Sequence, residues 1–262
     1  MSAEPTALVV GGLRAGYGSM EAVAGIDLEV RSGESVSVVG RNGAGKTTCL
    51  LAIAGVRHGR NGGTVRLGTR DLSKASPPAV VEAGLSHVPE GHRIFRHLDV
   101  RENLLVGSYV RRRDGQAKVR AAMDRVFDLF PILKTYEHRN AGFLSGGEQQ
   151  MVAIGQALMS EPRILMLDEP TSGLSIMVTR TILEALDRLR DDGVGILMVD
   201  QSVQRALEHT SRCYVMEQGQ IAMSGPSAEL AKDERVFAIV RGTDEAGTGA
   251  RSLAGGEPAA SG

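Results

Sequence analysis

Apolar and polar positions along this chain repeat with two different periods, and the switches between them map out elements. From Ala7 the sequence turns strand-like. Ile26, Leu28 and Val30 alternate with Asp27 and Glu29, the two-residue period of a strand with one buried face. Residues 35–39 read as a second strand that runs straight into a glycine-rich turn. Residues 46–54 read as a helix, with Gly55 placed as its C-terminal stop. Residues 164–167 and 194–199 are continuous apolar runs, the pattern of parallel strands covered on both faces. Between them Ile182, Leu186 and Leu189 recur at helical spacing, and Gly193 ends that helix. Residues 214–224, centred on Gln218 and Gly219, predict a hairpin.

Strands that alternate with helices predict parallel βαβ units and an α/β fold. Over residues 92–157 the strand signals vanish, and Asp99 followed three residues later by Glu102 predicts a capping box. This stretch is expected to be a helical subdomain inserted into a domain spanning residues 1–242. Residues 243–262 are rich in Gly, Ala, Ser and Thr, with Leu253 the one large apolar side chain. They bury too little to offset ordering entropy and are expected to form a disordered tail. No internal repeat is evident.

Composition narrows the class. The 262 residues are 42% hydrophobic and 23% charged, an ordinary globular mixture. A net charge of −1 carries no basic footprint for nucleic acid, so no nucleic-acid partner is expected. Two cysteines, Cys49 and Cys213, fit neither a metal site nor a disulfide framework and read as small buried hydrophobes. The N-terminus lacks a basic segment followed by an apolar one, so no secretory signal is expected. Apolar runs are strand-sized, whereas a membrane helix needs about 20 residues. A membrane role would therefore come through a partner. Six histidines, at positions 58, 87, 92, 97, 138 and 209, have no ligand spacing and read as surface or cap residues. Arg111, Arg112 and Arg113 read as a solvated helix end or loop.

Three motifs carry chemistry. Gly40, Arg41, Asn42, Gly43, Ala44, Gly45, Lys46, Thr47 and Thr48 match the phosphate-binding P-loop, between a strand and a helix. Its glycines let successive amides turn toward phosphates, and the helix N-terminus adds its positive end. Lys46 would reach the β- and γ-phosphates of ATP, and the Thr47 hydroxyl would bind Mg²⁺. The apolar run at 164–167 ends in Asp168 and Glu169, at the strand end where open α/β sheets bind ligands. Asp168 would hold Mg²⁺ through water, and Glu169 would act as general base on the attacking water. The third motif is Leu144-Ser145-Gly146-Gly147-Glu148-Gln149.

That third motif resembles the signature of ABC transporter ATPases. The resemblance implies a P-loop NTPase core of RecA-like type, with an antiparallel β-subdomain and the inserted helical subdomain. It also implies a head-to-tail pair of ATPase subunits, identical or different, in which Ser145, Gly146, Gly147 and Glu148 close over ATP held by the partner's P-loop. Tyr17 resembles the aromatic residue that stacks on adenine. Ser172-Gly173-Leu174-Ser175 is similar to the loop that joins the two subunits. Where most of the family has Gln, this chain reads Val88-Pro89-Glu90-Gly91, and where most has His it reads Val199-Asp200-Gln201. Both departures resemble the ATPases of branched-chain amino acid importers and of their urea or amide relatives. By that resemblance Glu90 and Gln201 join Glu169 as catalytic residues, and Glu90 joins Thr47 and Asp168 as a metal residue. Phe95 and Leu98 would meet the permease. The resemblance further implies a peripheral subunit on the cytoplasmic face of the membrane, bound to permease subunits and served indirectly by a substrate-binding protein. Gly173-Leu174-Ser175-Ile176 departs from the G-L-A-P usual in that group. Decay toward a degenerate site is countered by the intact Lys46, Asp168, Glu169 and signature. A soluble, non-transport ABC protein usually has two units or a long coiled coil, and a small P-loop kinase has no such signature.

Overall fold

The computed structural model describes residues 7–56, 60–91 and 93–242; the expected tail, His58 and His92 lie outside the described residues. Two sheets organise the chain. The first is antiparallel, in the order β2 (Met20–Arg31), β1 (Ala7–Tyr17), β4 (Arg60–Leu67), β5 (Arg70–Asp71). The alternation seen in the sequence fixes its register: Leu8 pairs with Val30, Val10 with Leu28 and Leu13 with Ile26, so apolar residues stack on one face. Between Val10 and Leu13 the register shifts, and Gly12 takes φ 55° there while donating its N–H to Asp27 Oδ1 at 2.8 Å.

The second sheet has six strands, in the order β10 (Gln220–Pro226), β9 (Arg212–Glu217), β3 (Ser35–Gly40), β8 (Gly195–Asp200), β7 (Ile164–Asp168), β6 (Leu85–Val88). All neighbours are parallel except the β9–β10 hairpin, whose turn has φ 46° at Gln218 and φ 82° at Gly219. The apolar runs of β7 and β8 divide by alternation. Ile164, Met166, Leu197 and Val199 face α1 (Lys46–Ile53) and the antiparallel sheet, whereas Leu165, Leu167, Ile196 and Met198 face the helices on the other side. Burial on both faces is why neither strand carries a polar residue before its last position.

A short helix, α2 (Pro77–Glu82), precedes β6. Between β6 and β7 lie α3 (Val100–Gly107), α4 (Gln116–Leu129), α5 (Pro131–Thr135) and α6 (Gly146–Leu158). Asp99 caps α3 with the reciprocal Glu102 bond the sequence predicted. These helices share one apolar cluster with the sheet: Val100, Leu104, Met151 and Ile154 belong with Leu165 and Leu167. The contact is close, since a Cβ on Gly155 would come within 2.7 Å of Val126 and 2.9 Å of Leu104. After β7 comes α7 (Ile176–Asp191), and after β8 comes α8 (Val203–His209). Behind the β10 edge, α9 (Ser227–Leu230) and α10 (Glu234–Arg241) close a smaller cluster in which Leu230 and Val236 pack with Cys213 and Val215. Both cysteines are free and buried. No helix among the described residues is long and apolar enough to cross a membrane.

Candidate active site

The parallel strands β3, β8, β7 and β6 end at one edge of the sheet, and the candidate chemistry gathers there. Beyond β3 the chain turns through Gly43 (φ 80°) and Gly45 (φ 103°) into α1. Gly45 must lack a side chain, because a Cβ there would overlap the carbonyl of Ala22 in β2. Gly219 of the hairpin turn donates its N–H to Ala44 O at 3.0 Å and accepts from Ala24 at 2.8 Å, so β2 and the β9–β10 turn brace the loop from outside. Lys46 is buried, and its ammonium donates to Gly40 O at 2.8 Å and Arg41 O at 3.0 Å. Burial lowers its pKa, against the opposing pull of Glu169, Asp168 and Asp200. Arg41 turns its guanidinium away, onto Gly242 at the end of α10. Tyr17 ends β1, half exposed, opposite Met20 on the hairpin whose second strand touches Gly45.

Asp168 and Glu169 follow directly from β7. Asp168 is buried, and neither carboxylate oxygen has a hydrogen-bond partner. Its pKa is pushed up to about 6, first by burial and then by the charges of Glu169 and Glu90, while the nearby Thr47 hydroxyl and Lys46 oppose the rise. Glu90, in the turn after β6, is thereby brought into the same group. Glu169 occupies the left-handed region at φ 49°, which costs a residue with a side chain about 1–2 kcal/mol. Its amide is held by Val199 O at 2.9 Å. The carboxamide of Gln201, just past β8, donates from Nε2 to both Glu169 oxygens, at 2.6 and 2.8 Å. The two catalytic candidates from adjacent strands therefore face each other directly.

The signature stands on another element. Ser145 caps α6, accepting from the Glu148 amide at 3.3 Å while Glu148 Oε2 accepts from the Ser145 amide at 2.7 Å. Gly147 packs against Val178 of α7, where a Cβ would be 3.1 Å from Cγ2. Ser145 and Glu148 bond to each other within the start of α6, and Gly147 packs on α7.

A family model for ABC transporters matches residues 23–172. The chain belongs to the ABC transporter family. It is 39% identical over 220 residues to the high-affinity branched-chain amino acid transport ATP-binding protein BraG of Pseudomonas aeruginosa, covering 84% of this chain and 93% of that protein. It is 35% identical over 231 residues to the probable branched-chain amino acid transport ATP-binding protein LivF of Archaeoglobus fulgidus (88% and 96% covered). The lipopolysaccharide export system ATP-binding protein LptB of Escherichia coli is 33% identical over 230 residues, with 87% and 94% covered. In fold, the chain is similar to a nucleotide-free ATP-binding cassette from an ABC transporter at 24% identity and a TM-score of 0.79, covering 89% of this chain and 98% of that one. This chain is an ATP-hydrolysing enzyme of the ABC type.

The site of this ABC ATPase fits magnesium nucleotide. Among the described residues no cluster of three His, Cys, Asp or Glu side chains forms a metal cage. Mg²⁺ does not need one, since it takes one or two protein oxygens and completes its shell with phosphates and water. A buried carboxylate without partners beside a threonine hydroxyl suits that role. The glycine turn leading into α1 suits the phosphates.

Two features escaped the sequence reading. His87 is not a surface residue: it lies on β6, its Nε2 is buried without a partner, and burial, helped by the charge of Arg93, pushes its pKa down to about 4. Of the other described histidines, His97 and His138 are exposed, and His209 is half-buried in the last turn of α8. The second feature is a side-chain network behind Gln201. Arg205 donates from Nη1 to Thr171 Oγ1 at 2.7 Å and sits 3.5 Å from Asp200 Oδ2. Nothing local in the sequence singles out Arg205, whose partner Thr171 lies 34 positions away.

Proposed function

We propose that this ATPase powers a branched-chain amino acid importer. The observation that carries the catalytic part is the Gln201 carboxamide seated on the Glu169 carboxylate beside a P-loop that retains Lys46. The cargo rests on the likeness to BraG and LivF, and on Glu90 and Gln201 at the two positions where the motif departs from most of the family. In this reading residues 1–242 are one ATPase domain with the helical subdomain at 92–157, and 243–262 are a tail. Gly40 to Thr48 cradle the phosphates of ATP and Tyr17 stacks on adenine. Thr47, Asp168 and Glu90 would hold Mg²⁺, which would supply positive charge to the phosphates. Glu169 takes a proton from water as that oxygen bonds to the γ-phosphorus. The bond to the bridging oxygen breaks, and ADP and phosphate leave. Gln201 orients the base and the water. Ser145, Gly146, Gly147 and Glu148 close over nucleotide in a second ATPase subunit, and permease subunits anchor the pair to the cytoplasmic face of the membrane, with a substrate-binding protein supplying cargo.

The test is reconstitution of the chain with its permease, partner ATPase and binding protein in vesicles. ATP-dependent uptake of leucine, isoleucine or valine is expected. Glu169→Gln should bind ATP, hydrolyse it about 10²–10⁴-fold more slowly and stop uptake. Uptake of urea or a short amide in place of the amino acids would overturn the cargo and leave the ATPase reading standing.

A further inference from the structure

Strands β7 and β8 run side by side with Asp168 opposite Val199. Past that pair both chains leave the sheet, Glu169 to Thr171 on one side and Asp200 to Ser202 on the other. The backbone bond from Glu169 N–H to Val199 O is the last ladder-like contact between them. Two side-chain bridges span the gap beyond it. One is Gln201 to Glu169, in the open site. The other lies behind it, where Arg205 reaches across from the first turn of α8.

That second bridge joins two buried residues through a part-exposed guanidinium. Thr171 is 1% exposed, and its Oγ1 accepts from Arg205 Nη1 at 2.7 Å, with Thr171 O at 3.4 Å from the same nitrogen. Arg205 Nε stands 3.5 Å from Asp200 Oδ2, a buried oxygen without a hydrogen bond. The other oxygen, Oδ1, accepts from the Ser202 amide at 2.7 Å, and Ser202 Oγ accepts from the Arg205 amide at 3.3 Å. The turn that carries Gln201 is thus closed on itself, fixed to α8, and tied by one guanidinium to the turn that carries Glu169.

An exposed hydrogen-bonded pair fixes little by itself, because both partners exchange with water and lose rotamer freedom when they meet. A planar guanidinium hydrogen-bonded to the buried Thr171 hydroxyl and within ion-pair distance of the buried Asp200 carboxylate restricts direction as well as distance. We propose that Arg205 is a positioning residue for ATP hydrolysis: by joining Thr171 to Asp200 it sets the geometry in which Gln201 meets Glu169. Its side chain bonds to Thr171 and pairs with Asp200, so its effect passes through the turns that carry Glu169 and Gln201. The inference rests on the reading of Glu169 as the base.

The experiment uses the assembled transporter with Arg205→Met, which keeps the apolar stem and removes the donors, and with Arg205→Lys. An Arg205→Met/Asp200→Asn variant removes the carboxylate that Arg205→Met alone would leave buried without its partner. ATP turnover, KM for ATP and melting temperature are measured for each. Arg205→Met should lower kcat roughly tenfold, the scale of one charge-assisted hydrogen bond, with KM within about twofold of the parent. The Asp200→Asn double variant should regain melting temperature but not turnover, and Arg205→Lys should recover part of kcat. In a Gln201→Ala background, Arg205→Met should cost less than about twofold, because the pair it serves is already gone. Parent kcat in both Arg205→Met variants would overturn the proposal, as would the same tenfold loss with and without Gln201. Glu169→Gln runs in parallel. Parent turnover there would overturn the reading of the site itself, whereas its loss alongside an active Arg205→Met would overturn this proposal alone.

Discussion

Replacing Gln201 by Ala isolates what its carboxamide does. The change removes two N–H contacts to Glu169, at 2.6 and 2.8 Å. What remains is a glutamate in the left-handed region, held by its amide on Val199 O and free to swing its carboxylate. A hydrogen bond to a charged group contributes about 1.5–3 kcal/mol. The two contacts come from one NH₂ group, so the range is not doubled. Gln201 is exposed, and water replaces most of what it gives the resting protein. Folding stability should therefore move by less than about 0.5 kcal/mol. Hydrolysis is different, because orientation of the base counts in full at the transition state. At about 1.4 kcal/mol per tenfold, kcat should fall roughly 10- to 150-fold, with a modest loss of ATP affinity. Phosphate release across an ATP titration, with a thermal melt beside it, measures both. Gln201→His keeps one N–H donor and should keep activity, with a decline below about pH 6.5 as the imidazole protonates and pairs with Glu169 as an ion. Parent turnover in Gln201→Ala would refute the argument, since the side chain hydrogen-bonded to the Glu169 carboxylate would then be dispensable.

Lys46→Ala removes the cation that bridges Gly40 O and Arg41 O, and it should abolish hydrolysis and weaken nucleotide binding; hydrolysis at the parent rate would dissolve the P-loop assignment. His87 has a folded pKa near 4, below the ordinary 6.5, so the unfolded chain takes up the proton first as pH falls. Stability from this group is complete above about pH 6.5 and is lost toward pH 4, by at most about 1.4 kcal/mol per pH unit. Urea melts from pH 4.5 to 7 should show a shallower slope for His87→Gln, and equal slopes would place the effect elsewhere. Phe95 is exposed, with its backbone amide secured by Asn103 Oδ1 at 2.8 Å, and Leu98 is half-buried. Phe95→Glu and Leu98→Glu should leave basal ATPase intact and lower uptake, as expected of a groove that receives a permease helix; unchanged uptake and assembly would return both residues to core or bare surface.

Legibility in the sequence followed the range of the interactions. The P-loop, the strand ending in Asp168-Glu169 and the capping box at Asp99 are local patterns, each closed within a few residues, and each could be read directly. The strands β7 and β8 were visible because burial on both faces forces unbroken apolar runs. Strand β4 was not, because its apolar signal reduces to Val65 and Leu67 after two glycines and its pairing partner is β1, some fifty positions earlier. His87 was misread for a similar reason. In Leu85-Ser86-His87-Val88 the polar pair looks exposed, yet Ser86 Oγ finds Ser160 Oγ at 2.7 Å across 74 positions. Arg205 looks like one more charge on a short amphipathic helix until Thr171 is seen beside it.

Charge explains why so many elements must converge on so small a site. Lys46 lies in the field of Glu169, Asp168 and Asp200, and Asp168 in that of Glu169 and Glu90. One ammonium thus faces three carboxylates, and Glu90 adds a fourth in the field of Asp168. Arg205 answers Asp200, which removes one of the four from the count. Gln201 answers Glu169 with neutral donors, which hold the carboxylate in place without adding a counter-charge. Asp168 is left with little beyond the nearby Thr47 hydroxyl, and burial has already made its charged form costly. A triphosphate adds further negative charge to the same corner, more than one lysine and a helix N-terminus balance. Asp168 and the Thr47 hydroxyl would hold a divalent cation, whose charge would offset both excesses. The pattern of answered and unanswered carboxylates therefore matches the division of tasks proposed for the site: Asp200 as anchor of the turn, Glu169 as the aimed base and Asp168 as a metal residue.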